Sequence, residues 1–171
     1  MSDVFIENPD DADIPLNAAL IAFTGCISEA FDDLCSCVLT YGDSYLPVLP
    51  DEDDEGCDEE EVLCSQAWVR VSDIAPSPNG IDAWGGDCSI ELSVNLEVGV
   101  LRCVTIPEGG EAPTVSDALE AAVQANKDMQ TILCAALNCD VWGSINVGQW
   151  QPSGPLGGQY GGVWSFTVTV D

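Results

Sequence analysis

The chain has 171 residues, of which 30 are acidic and only 3 basic, and it has no histidine, so its formal net charge is −27. Yet 46% of its residues are hydrophobic, which excludes a disordered acidic tail, since disorder needs low hydrophobicity as well as high charge. The predicted product is one folded domain, residues 1–171, with an anionic surface that repels nucleic acid and anionic membranes.

The first thirteen residues are polar and acidic and are expected to be extended. They lack the basic and apolar stretches of a signal peptide, and no apolar run is long enough to span a membrane. The expectation is a protein made and used without export. Nine cysteines, an odd number, then read as small buried hydrophobes and mostly free thiols, not as a disulfide framework. A structural metal or a disulfide is the alternative.

Pro15 opens a helical pattern. Proline is tolerated in a first turn because its missing N–H would be unpaired there anyway. Leu16, Leu20, Phe23, Ile27, Phe31, Leu34 and Val38 recur at steps of three and four, which predicts one helix running to about Tyr41, roughly 40 Å long. The pattern is then lost. Two prolines and the run DEDDEGCDEEE predict a solvated acidic loop over 47–64.

QAWVRVSDI predicts a strand with Trp68, Arg70 and Ser72 on one face and Val69 and Val71 on the other. A turn-rich connection follows. The clearest strand signal is the alternation through Ile90, Leu92, Val94, Leu96, Val98 and Val100, with Glu91, Ser93, Asn95 and Glu97 facing the other way. Its length predicts a bulge or bend near Gly99. Thr114 and Asp117 have the spacing of a capping box, opening a second helix with Val115, Leu119, Ala122, Met129, Leu133 and Ala136 as its inner stripe. Asn138 or Cys139 ends it. VWGSINVGQW predicts a weaker strand, 151–162 a Gly/Pro-rich loop, and VWSFTVTVD a closing strand with Trp164, Phe166, Val168 and Val170 on one face. The expected fold class is α+β, one antiparallel sheet backed by two helices.

Chemistry is sparsely signalled. Without histidine the commonest general base is missing, and Lys127, the sole lysine, lies on the polar side of a helix. No nucleophile elbow, P-loop or dinucleotide fingerprint is present. With so many carboxylates, no pairing of two of them is informative. The expectation is no enzymatic activity, no catalytic residue, no cofactor and no metal site. Asp51, Asp53, Glu55 and Gly56 match the first half of a calcium-binding EF-hand loop. The match fails at Asp58, where an apolar residue belongs, and at Val62, where a bidentate Glu is required. Loose divalent binding by the acidic loop stays open. The loop at Gly154–Gly162 has no cation and no following helix to hold a phosphate. Its alternatives are a hairpin loop or a contact arm, in which Trp150, Pro155, Tyr160 and Trp164 would form a partner interface.

The stretch LNAALIAFTGCISEAFDDLC, the WVRV and LEVGVLRC strands and the closing GQWQPSGPLGGQYGGVWSFTVTV together resemble neck proteins of long-tailed actinobacteriophages, and among these the tail terminators. The resemblance implies an α+β fold and a virion protein assembled in the host cytoplasm. It implies a homo-oligomeric ring, a hexamer, that caps the tail tube and joins it to the head connector. The implied partners are a second copy of the chain, the major tail protein and a head-side connector or stopper, with no membrane. DNA would pass through the ring unbound, and an anionic wall suits such passage because it does not hold a polyanion. The head–tail stopper is the alternative within the same machine. An acidic or calcium-dependent binding module, from a halophilic or secreted setting, is the alternative outside it, and an unrecognised hydrolase ranks last.

Overall fold

The computed structural model describes residues 15–42, 65–76, 91–103, 114–156 and 158–170. The predicted N-terminal extension and the acidic loop with its calcium-like motif lie outside the described residues. In chain order the elements are α1 (Pro15–Glu29), β1 (Ser36–Tyr41), β2 (Ser65–Pro76), β3 (Leu92–Cys103), α2 (Val115–Asn138), β4 (Ser144–Leu156) and β5 (Gln159–Val170). The strands form one five-stranded sheet in the order β1-β2-β3-β5-β4. The fold is α+β, as the element pattern predicts. Four strands pair antiparallel, and β1 joins β2 in parallel, so the sheet is mixed.

The parallel edge strand comes from a segment whose spacing suggested helix. The apolar stripe of α1 is buried through Leu20, Phe23 and Ile27, but the helix ends at Glu29. Its last turn tightens, with Ala30 N–H and Phe31 N–H donating to the carbonyls of Ile27 and Ser28 at 3.2 and 3.3 Å. SCVLTY then alternates with period two. Cys37, Leu39 and Tyr41 stand opposite Ala67, Val69 and Val71 of β2, on the helix side of the sheet. Phe31, Leu34 and Val38 keep the helical steps while Cys37, Leu39 and Tyr41 alternate, and the free edge of β2 decides for the strand. The Cys35 N–H donates to the Ser65 carbonyl at 2.8 Å, and the Gly42 N–H to that of Val71 at 3.3 Å.

The core lies between the helices and one sheet face. Val94, Leu96, Val98 and Val100 of β3 are buried there with Ala67, Val69 and Val71 of β2 and Phe166 and Val168 of β5. Above them sit Leu20, Phe23 and Ile27 of α1 and Ile132 and Ala136 of α2. Phe23 meets Trp142 and Phe166 edge-on, with ring centroids 5.5 and 6.5 Å apart. The opposite face carries the polar half of β3, with side-chain bonds such as Thr167 Oγ1 to Asn95 Oδ1 at 2.8 Å, and an apolar strip of Val38, Trp68 and Val163 crosses it at Gly99.

Two further expectations are corrected. The irregularity in the long strand pair lies in β2, between Val71 and Asp73, while β3 runs unbroken through Gly99. Glycine is needed there because the Trp68 indole lies across it, and a Cβ would run into the ring. The Gly/Pro-rich segment is not an open loop. β4 continues to Leu156, β5 starts at Gln159, and Leu156 pairs with Gln159. β4 is an edge strand, which tolerates Pro152, and its pairing is interrupted by irregularities at Val147/Trp150 and Ser153/Leu156. Within the hairpin Trp150 covers Gly162 as Trp68 covers Gly99.

Candidate functional site

The cysteines depart most from expectation. Cys26, at the end of α1, is bonded to Cys139, the C-cap of α2, with Cα atoms 6.0 Å apart. Cys35 and Cys103 are also disulfide-bonded. Only Cys37 and Cys134 are free among the described cysteines, so for these six the expectation of mostly free thiols does not hold. Their reactivities should differ sharply. Burial pushes the Cys37 thiol up to about 12, and its Sγ lies 3.8 Å from the Thr24 carbonyl. Cys134 is exposed. Iodoacetamide at neutral pH is therefore expected to label Cys134 and to spare Cys37 until the chain unfolds, as peptide mass spectrometry would read.

All three cations of the chain are described, and two are internal. Arg70 pairs with Glu97 across β2 and β3, and its Nη1 donates to the Gly42 carbonyl at 3.2 Å. Arg102 is 7% exposed and Asp128 1% exposed. Arg102 donates to both Asp128 oxygens, from Nε at 3.1 Å and Nη2 at 3.0 Å. It donates to both Asp33 oxygens, from Nη1 at 2.9 Å and Nη2 at 3.1 Å. Gln124 Nε2 adds a bond to Asp128 at 2.9 Å, and the Phe31 ring lies 6.0 Å from the guanidinium carbon. Burial alone would lower the guanidinium pKa, but its hydrogen bonds and charge contacts with Asp128 and Asp33 outweigh this and raise it. The guanidinium thus stays charged, with its donors engaged by Asp128 and Asp33. It is a clamp joining β3, α2 and the turn after α1, not a proton-transfer device.

Beside this clamp is a cleft of about 500 Å³, between the first half of α2 and the ends of β3 and β5, lined among others by Leu119, Val123, Glu120, Lys127, Cys103 and Tyr160. The Tyr160 phenol is pushed up, first by burial and then by Asp128 and Asp33, against a lowering from Arg102. It therefore remains a neutral hydroxyl at physiological pH.

Of the four candidate interface residues, Tyr160 reaches the cleft. Trp150 and Trp164 pack against each other at 5.9 Å, and Trp164 Nε1–H donates to the Met129 carbonyl at 2.9 Å. The Pro155 side chain lies outside the described residues. The structure thus brings Trp150 and Trp164 together on the helix side of the hairpin and leaves Tyr160 at its far end. Sequence reasoning missed the clamp, although Arg102 continues the inward phase of Val94–Val100, and Asp128 that of Ile132 and Ala136. A charge in a buried phase demands a buried partner.

At the start of α2 the capping box forms as spaced. The Thr114 N–H donates to Asp117 Oδ2 at 2.7 Å, and the Asp117 N–H to Thr114 Oγ1 at 3.2 Å. The Thr114 side-chain bond, then its backbone bond, lowers the Asp117 pKa. A depressed folded pKa means a contribution present above the unfolded value and lost as pH falls through the folded one. Protection of the Thr114 amide, whose N–H the Asp117 carboxylate accepts, is expected to fall relative to its intrinsic exchange rate below roughly pH 4, as NMR would show, and an Asp117→Asn variant should lack this step.

Among the described residues no three Cys, Asp or Glu side chains converge as a metal ion would require. No helix among them is long and apolar enough to cross a membrane. No protein-family model matches this chain, and no curated protein matches its sequence.

Proposed function

We propose that the chain is a structural ring protein of a phage neck, a tail terminator that caps the tail tube and joins it to the head connector. The observation that carries this is where the cations are. With Arg70 held by Glu97 and Arg102 by Asp33 and Asp128, the chain offers Lys127 alone against a net charge of −27. Such a surface does not retain a polyanion, which suits a collar through which DNA slides. The sequence likeness to phage neck proteins and the α+β fold support the same reading. So does the absence of histidine, the commonest general base.

Native mass spectrometry of assembled material is expected to show six 18.0-kDa chains, about 108 kDa. A phage lacking the gene is expected to make filled heads beside unattached tails of irregular, excessive length, visible by electron microscopy. Normal-length tails beside emptied heads would instead assign the chain as the head–tail stopper. The disulfides favour a second reading, an acidic binding module of an oxidising, extracellular setting. A released virion meets the same oxidising condition, so the ring decides between the two. A strict monomer in assembled material would discard the neck assignment.

A further inference from the structure

One edge of the sheet carries no charge. β4 pairs with β5 on one side, and among the described strands none pairs with it on the other. Residues 146–149 and 151–154 are exposed. At Gly148 the exposure is that of the backbone itself, since glycine has no side chain to show. An edge with open N–H and C=O groups invites a further strand, and proteins commonly guard such edges with charges. This chain has 30 acidic residues and places none of them here. From Val141 to Val170 there is no charged residue at all, although 19% of the chain is charged. Burial accounts for the neutrality of β5, which lies between β3 and β4. It does not account for β4, which is open. Other guards are present but partial. Pro152 and the irregularities at Val147/Trp150 and Ser153/Leu156 break the far part of β4. Ser144 to Val147 stays regular. There Val147, 41% exposed, shares the helix-side phase of its partner Phe166.

The missing charge says what comes to this edge. A basic partner is received best by carboxylates, so an edge suited to one would carry them. A partner of the same sign is received only where carboxylates are absent. The like-charged partner that every molecule meets is a second copy, which brings another 27 negative charges. We infer that the Ser144–Val147 edge of β4 is where two copies of this chain pair, β4 against β4 in antiparallel. The two sheets then merge into one, and the two Val147 side chains cover each other, opposite or one pair apart. β1, the other edge, is bracketed in sequence by Asp32 and Asp33 before it and Asp43 after it, whereas β4 and β5 carry no charge. A two-fold pair does not close a ring, so this contact stands apart from the neck assignment.

Sedimentation equilibrium of the full chain in about 0.5 M salt should show a species of two chains, about 36 kDa. Its dissociation constant should rise roughly ten-fold or more in about 0.05 M salt, where repulsion is less screened. V147E and V147K should each weaken the pair roughly ten-fold or more, because each sets like charges side by side. The position being exposed, both variants should keep the melting temperature. Mixed, the two should pair again, since glutamate then faces lysine. Hydrogen exchange across 144–149 of the unaltered protein should slow as its concentration rises. Monomers at every concentration and salt, or a pair that both variants retain, would overturn the inference. Tighter pairing by V147K alone would overturn it too, by reducing the effect to net charge. A pair lost in both variants and not regained on mixing would mean that β4 meets some other surface of the copy, and would overturn the two-fold contact. A ring of six formed alike by all three proteins, with exchange at 144–149 unchanged, would support the neck assignment and overturn this contact.

Discussion

Replacing both Cys26 and Cys139 by serine is expected to lower the unfolding free energy by about 5 kcal/mol. The bond closes a loop of 113 residues. In the chain-entropy account, a cross-link over a loop of that size removes about 5 kcal/mol of disorder from the unfolded ensemble. Few domains of this size can spare it, since the whole unfolding free energy is about 5–15 kcal/mol. The bond ties the last turn of α1 to the end of α2. Urea unfolding of C26S/C139S against the parent, both without reductant, measures the effect. A loss below about 1 kcal/mol would mean that the helices are already held by their packing.

Arg102→Met is expected to cost about 3–5 kcal/mol, the usual result of removing one partner from a buried ion pair. Methionine fills much of the volume, so the effect isolates charge from packing. What remains is Asp128, 1% exposed, with the Gln124 amide still donating to it. Asp33 is the less costly end, because its side chain is 60% exposed and water can replace the guanidinium. Asp33→Asn is therefore expected to cost about 1 kcal/mol or less. The double variant Arg102→Met/Asp128→Leu should recover most of the loss, since an apolar pair leaves no stranded charge. Denaturant unfolding of the three variants checks the order. Equal losses from Arg102→Met and Asp33→Asn would contradict it.

The sequence and the fold agree where one period dominates. The alternation from Leu92 to Val100 can be read only as a strand, and Thr114 with Asp117 marks the start of α2 by itself. The closing strand is equally plain in Trp164, Phe166 and Val168. Agreement fails where two periods coincide. Phe31, Leu34 and Val38 continue the stripe of α1, while Cys37, Leu39 and Tyr41 alternate as a strand. Only the bonds of Cys35 and Gly42 to β2, made across a gap in sequence, separate the two. The clamp was half legible. Arg102 and Asp128 sit in buried phases that can be read locally, but their meeting, and the arrival of Asp33 from 69 residues away, depends on how the elements stack. The disulfide was illegible for another reason. An odd cysteine count argued from averages, whereas Cys26 and Cys139 are joined because two helix ends coincide.

The unequal placement of charge gives ionic strength an unusual sign. At 0.15 M salt the screening length is about 8 Å, so repulsion among the surface carboxylates is weakened over most of the molecule. The Arg102–Asp128 contact is shielded from the same ions because both groups lie inside, and Arg70 is largely covered where it meets Glu97, while Asp33 stays open to them. In most proteins added salt erodes attraction and repulsion together. Here the attractions are few and partly interior while the repulsions are many and exterior. The folded chain therefore tightens as the medium becomes more saline and is strained most in dilute buffer. The same counterions would lower the cost of bringing two such anionic chains together.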